Sequence, residues 1–376
     1  MRGAAARAAR GRRATGGSDR HPDVPVAGEA ATGTAAGTWL VRGTDGRLTV
    51  YAPCRDGLLR WTQTTAGGDG WTGPDVIAAT GLTHLSVAQG GDAFVHFVGR
   101  RERPGGDGRV TVDVVYALQY QSGRPTTEWV SAGNPHKEPG RAARLGVPAA
   151  AVDASGTVHL FVRNAGGGVM LRREGKGGAW EPWRDLRGTE VAEGLAPAAT
   201  ASGRVELVAP AAGSALRWAG QAPGGAMERA SDIRPAPVPG SVAALGTAPD
   251  RITWFWTDAD GSGVVAHRPG GWVYPLGGAP GDGAHAALRS TLDGYDCTVL
   301  AHRGRNGNAV IGAYVTESEG DGVAWTDTGV PCLGGPALAH DAYGRVVLAV
   351  IGTDGRPRLA RQQEDGGLTL SEWIRI

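Results

Sequence analysis

Cysteine, lysine and long apolar stretches are what this chain lacks. Its three cysteines, Cys54, Cys297 and Cys332, make no disulfide framework and fit no spaced metal motif. No apolar run approaches the roughly 18 residues of a membrane span. Lys137 and Lys176 are the only lysines, so Arg supplies nearly all of the 38 positive charges. These face 37 acidic residues, and a net charge of +1 leaves no overall field to draw the protein to nucleic acid or anionic membranes. Catalytic signatures are equally scarce: there is no G-x-S-x-G elbow, H-E-x-x-H helix or Gly-Lys phosphate loop. SEGDGVAW (318–325) only faintly follows a sialidase Asp-box, with its Asp out of place. No catalytic residue, metal ligand or cofactor is assigned.

What is abundant is glycine and proline, 63 and 23 of 376 residues, a composition of short strands and tight turns. With 41% hydrophobic residues there is ample material for a core. Residues 1–36 read as a disordered Arg/Ala/Gly-rich tail. Arg2, Arg7, Arg10, Arg12 and Arg13 are not followed by the 7–15 apolar residues of a secretory signal. The compartment therefore stays open: cytoplasmic as written, secreted if the start site is misassigned.

An internal repeat organises the rest. GGAWEPWRDL (177–186) aligns with GGAMERASDI (224–233), with Trp180 replaced by Met227 and Trp183 by Ala230. Equivalent anchors stand at Trp71, Trp129, Trp180, Met227, Trp272, Trp325 and Trp373, spaced by 45 to 58 residues. Each unit carries an alternating strand, such as RLTVYA (47–52), TVHLFV (157–162) or RVVLAV (345–350). An Ala-rich segment precedes it, as in PAAAV (148–152), and another strand follows, as in LLRWTQ (58–63). Four strands per unit, seven times, predict an all-β, seven-bladed β-propeller of four-stranded antiparallel blades over residues 37–376. Small inner-strand residues let the blades converge on the axis, and each anchor is expected to fill the wedge between two blades. Closure of the ring should bring Trp39 near the strand that ends at Ile376.

The unit at 148–186, with Pro148, Asp153, Gly156, the Leu160–Arg163 strand, Gly168, Trp180 and Trp183, resembles the repeat of the PLL-like bacterial β-propeller lectins. That resemblance implies pockets between blades that bind fucose or related sugars. Blade 4 departs from the pattern by lacking both tryptophans of its fourth strand.

Candidate ligand residues come from the third strands, where large planar or polar groups recur, joined in blade 3 by a fourth-strand Trp. They are Arg60, Trp61 and Gln63 in blade 1, Arg173 with Trp183 in blade 3, Trp218 in blade 4 and His267 in blade 5. Aromatic rings can stack on pyranose faces and Arg can hold hydroxyls, although the same groups also suit packing between blades. With Met227 and Ala230 in its fourth strand, blade 4 should have a weak pocket of its own. His84 and His285 begin the inner strands of blades 2 and 6 and are candidates for one mouth of the central channel. His96 and Cys297 sit in buried columns of the second strands and read as core residues. Two insertions, RRERPGGDG (100–108) and NPHKEPGR (134–141), read as surface loops.

The leading function is a non-catalytic, lectin-like propeller with several weak sugar sites at or between blades, its partner a carbohydrate or glycoconjugate. The alternatives are an enzyme of small-molecule biosynthesis that uses the channel mouth, or a protein-interaction scaffold.

Overall fold

The computed structural model describes residues 29–376 except 106, 107, 109, 262 and 365. Residues 1–28, most of the expected tail, lie outside the described residues. From residue 40 onward the chain forms seven sheets of four antiparallel strands, spanning 40–78, 82–133, 149–187, 196–229, 243–277, 286–331 and 337–375. The protein is a seven-bladed β-propeller.

Alternation in the second strands sets each sheet's register. Leu160 and Leu207 are fully buried, and one residue further along each strand the side chain turns to the opposite face of the blade. The hairpins entering these strands share one device. In blade 3 the Asp153 carboxylate accepts the N–H groups of Ser155 (2.9 Å) and Thr157 (3.0 Å), and in blade 7 Asp341 accepts those of Tyr343 (2.9 Å) and Arg345 (3.0 Å). Gly156 and Gly344 supply the positive φ (79° and 80°) that the turn requires.

The cores lie between blades. One cluster spans blades 2 and 3 around Val98, Val114 and Leu160, and the next spans blades 3 and 4 around Phe161, Leu207 and Trp218. In blade 5, Trp254, Phe255 and Trp256 are completely buried. Each such side chain contributes about 1.5–3 kcal/mol of burial. His96 is a fully buried core residue, its Nδ1 lying 2.8 Å from the Tyr116 hydroxyl. All three cysteines are buried free thiols.

Three details differ from the sequence reading. The insertion at 100–108 is largely not a loop: its first residues lengthen the second strand to Val95–Pro104, paired with Val110–Gln119. Arg101 and Arg103 share the Asp113 carboxylate across that pair. The segment at 134–141 runs into a one-turn helix, Pro139–Ala142, capped by the Glu138 carboxylate. Finally, the tail boundary moves. Residues 29–36 are docked on the ring, and Ala36–Gly37 pairs in parallel with the inner strand of blade 2 as a fifth strand.

Blade 1 is built wholly from the start of the described chain and blade 7 wholly from its end, so no strand is shared across the closure. Instead the seam is packed and latched. Trp39 and Ile376 belong to one core cluster with Ala337, Val347 and Leu359. Arg42 donates to the Asp341 carbonyl (2.8 Å), and Arg361 donates to the Gly68 carbonyl (2.7 Å) while pairing with Asp69.

Candidate functional site between blades 3, 4 and 5

The anchor positions locate the site. Trp71, Trp129, Trp180, Met227, Trp325 and Trp373 are all half-buried and packed into inter-blade clusters. The Trp180 ring meets Tyr116 of the preceding blade edge-on at 5.3 Å, and Trp325 Nε1 donates to the Leu276 carbonyl of blade 5 (2.9 Å). Trp272 breaks the rule. It is 81% exposed, at the end of the turn that follows the third strand of blade 5. A cavity of about 940 Å³ lies between blades 4 and 5, and Trp272 forms part of its wall. Ala230 and Ser231 of blade 4, both small, line the same cavity.

The polar groups of this cavity come from both blades. Arg217 is held by the buried Glu206 carboxylate, with its Nη2 at 2.7 Å and Nε at 3.1 Å from one oxygen. Asp232, Arg234, Asp258 and His267 complete the polar wall. His267 is nearly buried against Trp256, their rings 6.3 Å apart, and desolvation pushes its pKa below the ordinary range. A neutral imidazole, fixed guanidinium and carboxylate groups and one exposed indole face are the groups that hold a polyol with an apolar ring face.

A second cavity, about 160 Å³, lies between blades 3 and 4. Arg173 and Glu181 form an ion pair within it (2.6 Å), and Arg184 reaches the same Glu181 oxygen at 3.6 Å. The hydrogen bond from Arg173 holds the Glu181 carboxyl below its usual range. His159 lies at the cavity wall with Nε2 at 3.0 Å from Asp153 Oδ2. Burial raises the Asp153 pKa, but hydrogen bonds from His159, Ser155 and Thr157 outweigh it and leave the carboxyl below its usual value. Met227 of blade 4 closes the opposite wall.

One signal in the sequence marks both cavities and was missed. The second-strand column next to the apolar one reads Thr49, Val95, His159, Glu206, Thr253, Thr298 and Val347. Five of these are polar and all five are buried. In blades 3 and 4 the group there is ionisable, and so is the buried His96 that faces the wedge between blades 2 and 3. His159 lines the smaller cavity, and Glu206 positions the Arg217 that lines the larger one.

The structure separates the sequence candidates. Arg60 is buried, pairs with Asp75 (2.7 Å) and donates to the Arg124 carbonyl of blade 2 (2.8 Å), so it braces two blades. Trp61 is a core residue, 1% exposed. Gln63 is buried and accepts the Leu48 N–H (3.1 Å), and Gln362 does the same for Val346 in blade 7. Trp218 is buried, donates to the Leu186 carbonyl (2.9 Å) and lies under the Arg229 guanidinium at 4.8 Å. Trp183 is half-buried, with Arg172 over its ring at 5.7 Å. Arg173 and His267 reach cavities.

His84 and His285 are not brought together. His84 is exposed beside Thr83, whereas His285 is buried in the seam between blades 5 and 6, with Nε2 at 3.0 Å from Thr257 Oγ1. Among the described residues, no group of three or more His, Cys, Asp or Glu is placed to hold a metal ion, and no helix is long and apolar enough to cross a membrane.

No family model matches this sequence, and no curated protein matches it. Solved structures do match. The BP39L lectin from Burkholderia pseudomallei superposes with a TM-score of 0.66 at 16% identity, over 93% of this chain and 99% of that one. NanB plus Optactamide follows at 0.51 and 10%, over 80% and 70%. The Hadza microbial sialidase Hz136 is similar at 0.49 and 12%, over 82% and 71%. At these identities the likeness is one of fold: the chain shares its propeller architecture with a lectin over nearly its whole length.

Proposed function

We propose that the protein is a non-catalytic carbohydrate-binding propeller, with its principal site in the cavity between blades 4 and 5. The single observation that carries this reading is Trp272, exposed at the one anchor position whose ring leaves its wedge open. A lone exposed tryptophan beside fixed Arg, Asp and His groups suits a pyranose, whose apolar face stacks on the indole while its hydroxyls meet the polar wall. The lectin likeness in fold supports the same ligand class. The Arg173–Glu181 cavity between blades 3 and 4 provides a second, smaller site of similar chemistry. On this reading binding falls at blade 5 with Trp272 rather than at Arg60, Trp61, Gln63 and Trp218, which are occupied in structural contacts.

Each site is shallow, and single-site affinity near millimolar corresponds to about −4 kcal/mol. Useful binding then comes from sites acting together on a glycan-bearing surface. The test is calorimetry with fucose and other monosaccharides, run beside glycan-coated surfaces. Trp272→Ala removes stacking of about 0.5–1.5 kcal/mol and should weaken binding roughly two- to tenfold. Wild type that binds no sugar in either format refutes the reading.

A further inference from the structure

The docked stretch before blade 1 does more than lead into the ring. Within ten residues it touches both sides of the closure. The Ala31 N–H donates to the Gly355 carbonyl of blade 7 (3.0 Å), and the Thr32 N–H donates to the Pro53 carbonyl of blade 1 (2.9 Å). Ala36 and Gly37 then pair with Ser86 and Val87 on the inner strand of blade 2, and the Thr38 N–H donates to the Val87 carbonyl (2.9 Å). Ala31 and Ala35 are each 6% exposed and belong to the core cluster that joins blades 7, 1 and 2.

The ring is shaped to receive this stretch. A Cβ on Gly355 would lie 2.7 Å from the Ala30 Cβ, and one on Gly334 would collide with the Thr34 hydroxyl. Gly37 itself has φ of +75°, and a Cβ there would collide with the Val87 carbonyl oxygen. Glycine at all three places is what allows the close approach. Because no strand is shared between blades 1 and 7, the stretch supplies backbone hydrogen bonds across a seam held, among the described residues, by side-chain packing and latches.

We propose that residues 29–38 are a strap that locks the ring across the junction of blades 7 and 1 and shields Cys54 beneath it. This goes beyond sugar binding and does not depend on it. Cys54 ends the second strand of blade 1, next to the Pro53 carbonyl that the strap engages. Burial, with the Glu29 carboxyl alongside, pushes its thiol up to about 12. Cys297 and Cys332, buried in other seams, serve as internal controls.

The experiment is timed N-ethylmaleimide labelling of the native protein, read at each cysteine by mass spectrometry. The full chain, a form lacking residues 1–28, a form lacking 1–38 and the full-length Gly37→Val variant are compared. Removing 1–28 should leave all three rates unchanged. Removing 1–38, or Gly37→Val, should raise the Cys54 rate by roughly tenfold or more while Cys297 and Cys332 stay slow, as local opening predicts. If the 1–38 truncation does not fold, Gly37→Val decides the matter. A Cys54 rate in Gly37→Val equal to wild type would overturn the proposal. So would exposure of Cys54 on loss of 1–28 alone, or an equal rise at all three cysteines, which would report global unfolding.

Discussion

Acid should loosen the seam between blades 5 and 6, and His302→Phe should remove about half of that effect. His302 is 1% exposed, packs edge-on against Trp325 at 4.7 Å and faces His285 at 5.7 Å. Neither of its ring nitrogens has a hydrogen-bond partner among the described residues. Desolvation pushes His302 down to about 4, and desolvation with the neighbouring His302 pushes His285 down to about 3. Both imidazoles are therefore neutral in the folded ring, while in the unfolded chain they titrate near the ordinary value of about 6.5. Stability is complete above that value and falls as pH drops through it, because the unfolded state takes up protons that the folded state refuses. Each histidine costs about 1.4 kcal/mol per pH unit until its folded pKa is reached. By about pH 4.5 the pair amounts to roughly 5 kcal/mol, against a total stability of about 5–15 kcal/mol for a typical domain. Phe keeps the ring against Trp325 and removes two unpaired nitrogens, so at neutral pH it should be neutral or stabilising by about 1 kcal/mol. Between about pH 7.5 and 4.5 only the His285 share of the acid loss should then remain. Urea titrations followed by tryptophan fluorescence at several pH values measure both quantities. Wild type and variant losing stability in parallel would refute the reasoning.

Three further outcomes follow from the packing. Ala230→Trp puts a large ring at a residue that lines the cavity between blades 4 and 5 and should obstruct it, weakening sugar binding there without lowering Tm; calorimetry beside a melting curve checks it, and intact binding argues against the site. Trp256→Ala opens the core of blade 5 and should cost about 3–5 kcal/mol, read by denaturant unfolding. Asp153→Asn leaves the buried His159 without its carboxylate and should cost about 1–3 kcal/mol near neutral pH. Because the Asp153 carboxyl sits below its usual range in the fold, the stability it adds is present above the unfolded carboxylate pKa and lost as pH falls. The variant should therefore show a flatter acid limb in pH-dependent melting.

Blade count and strand order were legible in the sequence because they follow from period-two alternation and a repeat of nearly constant length. The buried column, by contrast, slips by one residue in blade 2, where Val95 and Phe97 rather than Phe94 and His96 pack toward blade 1. The second strand read at 157–162 is observed as Val158–Arg163, and the one read at 345–350 as Val346–Ile351. Arg60, Trp61, Gln63 and Trp218 were read as ligand candidates, and the structure places them in packing and bracing contacts for a physical reason. A third-strand side chain in a propeller faces the neighbouring blade, and whether the gap is filled or open depends on what that neighbour contributes. Arg60 is taken by Asp75 of its own blade and a blade 2 carbonyl, a pairing across 64 residues that no local spacing announces. The strap was missed because Ala31 and Ala35 carry no pattern of their own; their burial comes from glycines contributed by blade 7 and by the strap itself.

The places where the repeat fails are more informative than those where it holds. His159, Glu206, Met227, Ala230 and Trp272 each depart from the majority residue or environment of their column, and all lie on three consecutive blades. Each departure has a cost. Leaving Trp272 in water forgoes about 1.5–3 kcal/mol that a packed anchor would contribute. Burying the Glu206 carboxylate requires Arg217 and Arg204 to compensate it. These departures adjoin two wedges, with His159 at the wall of one cavity and Glu206 beneath the Arg217 that lines the other, which is the arrangement the proposed binding reading requires. On the proposed reading a ligand is held at blades 3 to 5, and the five remaining wedges hold the ring together.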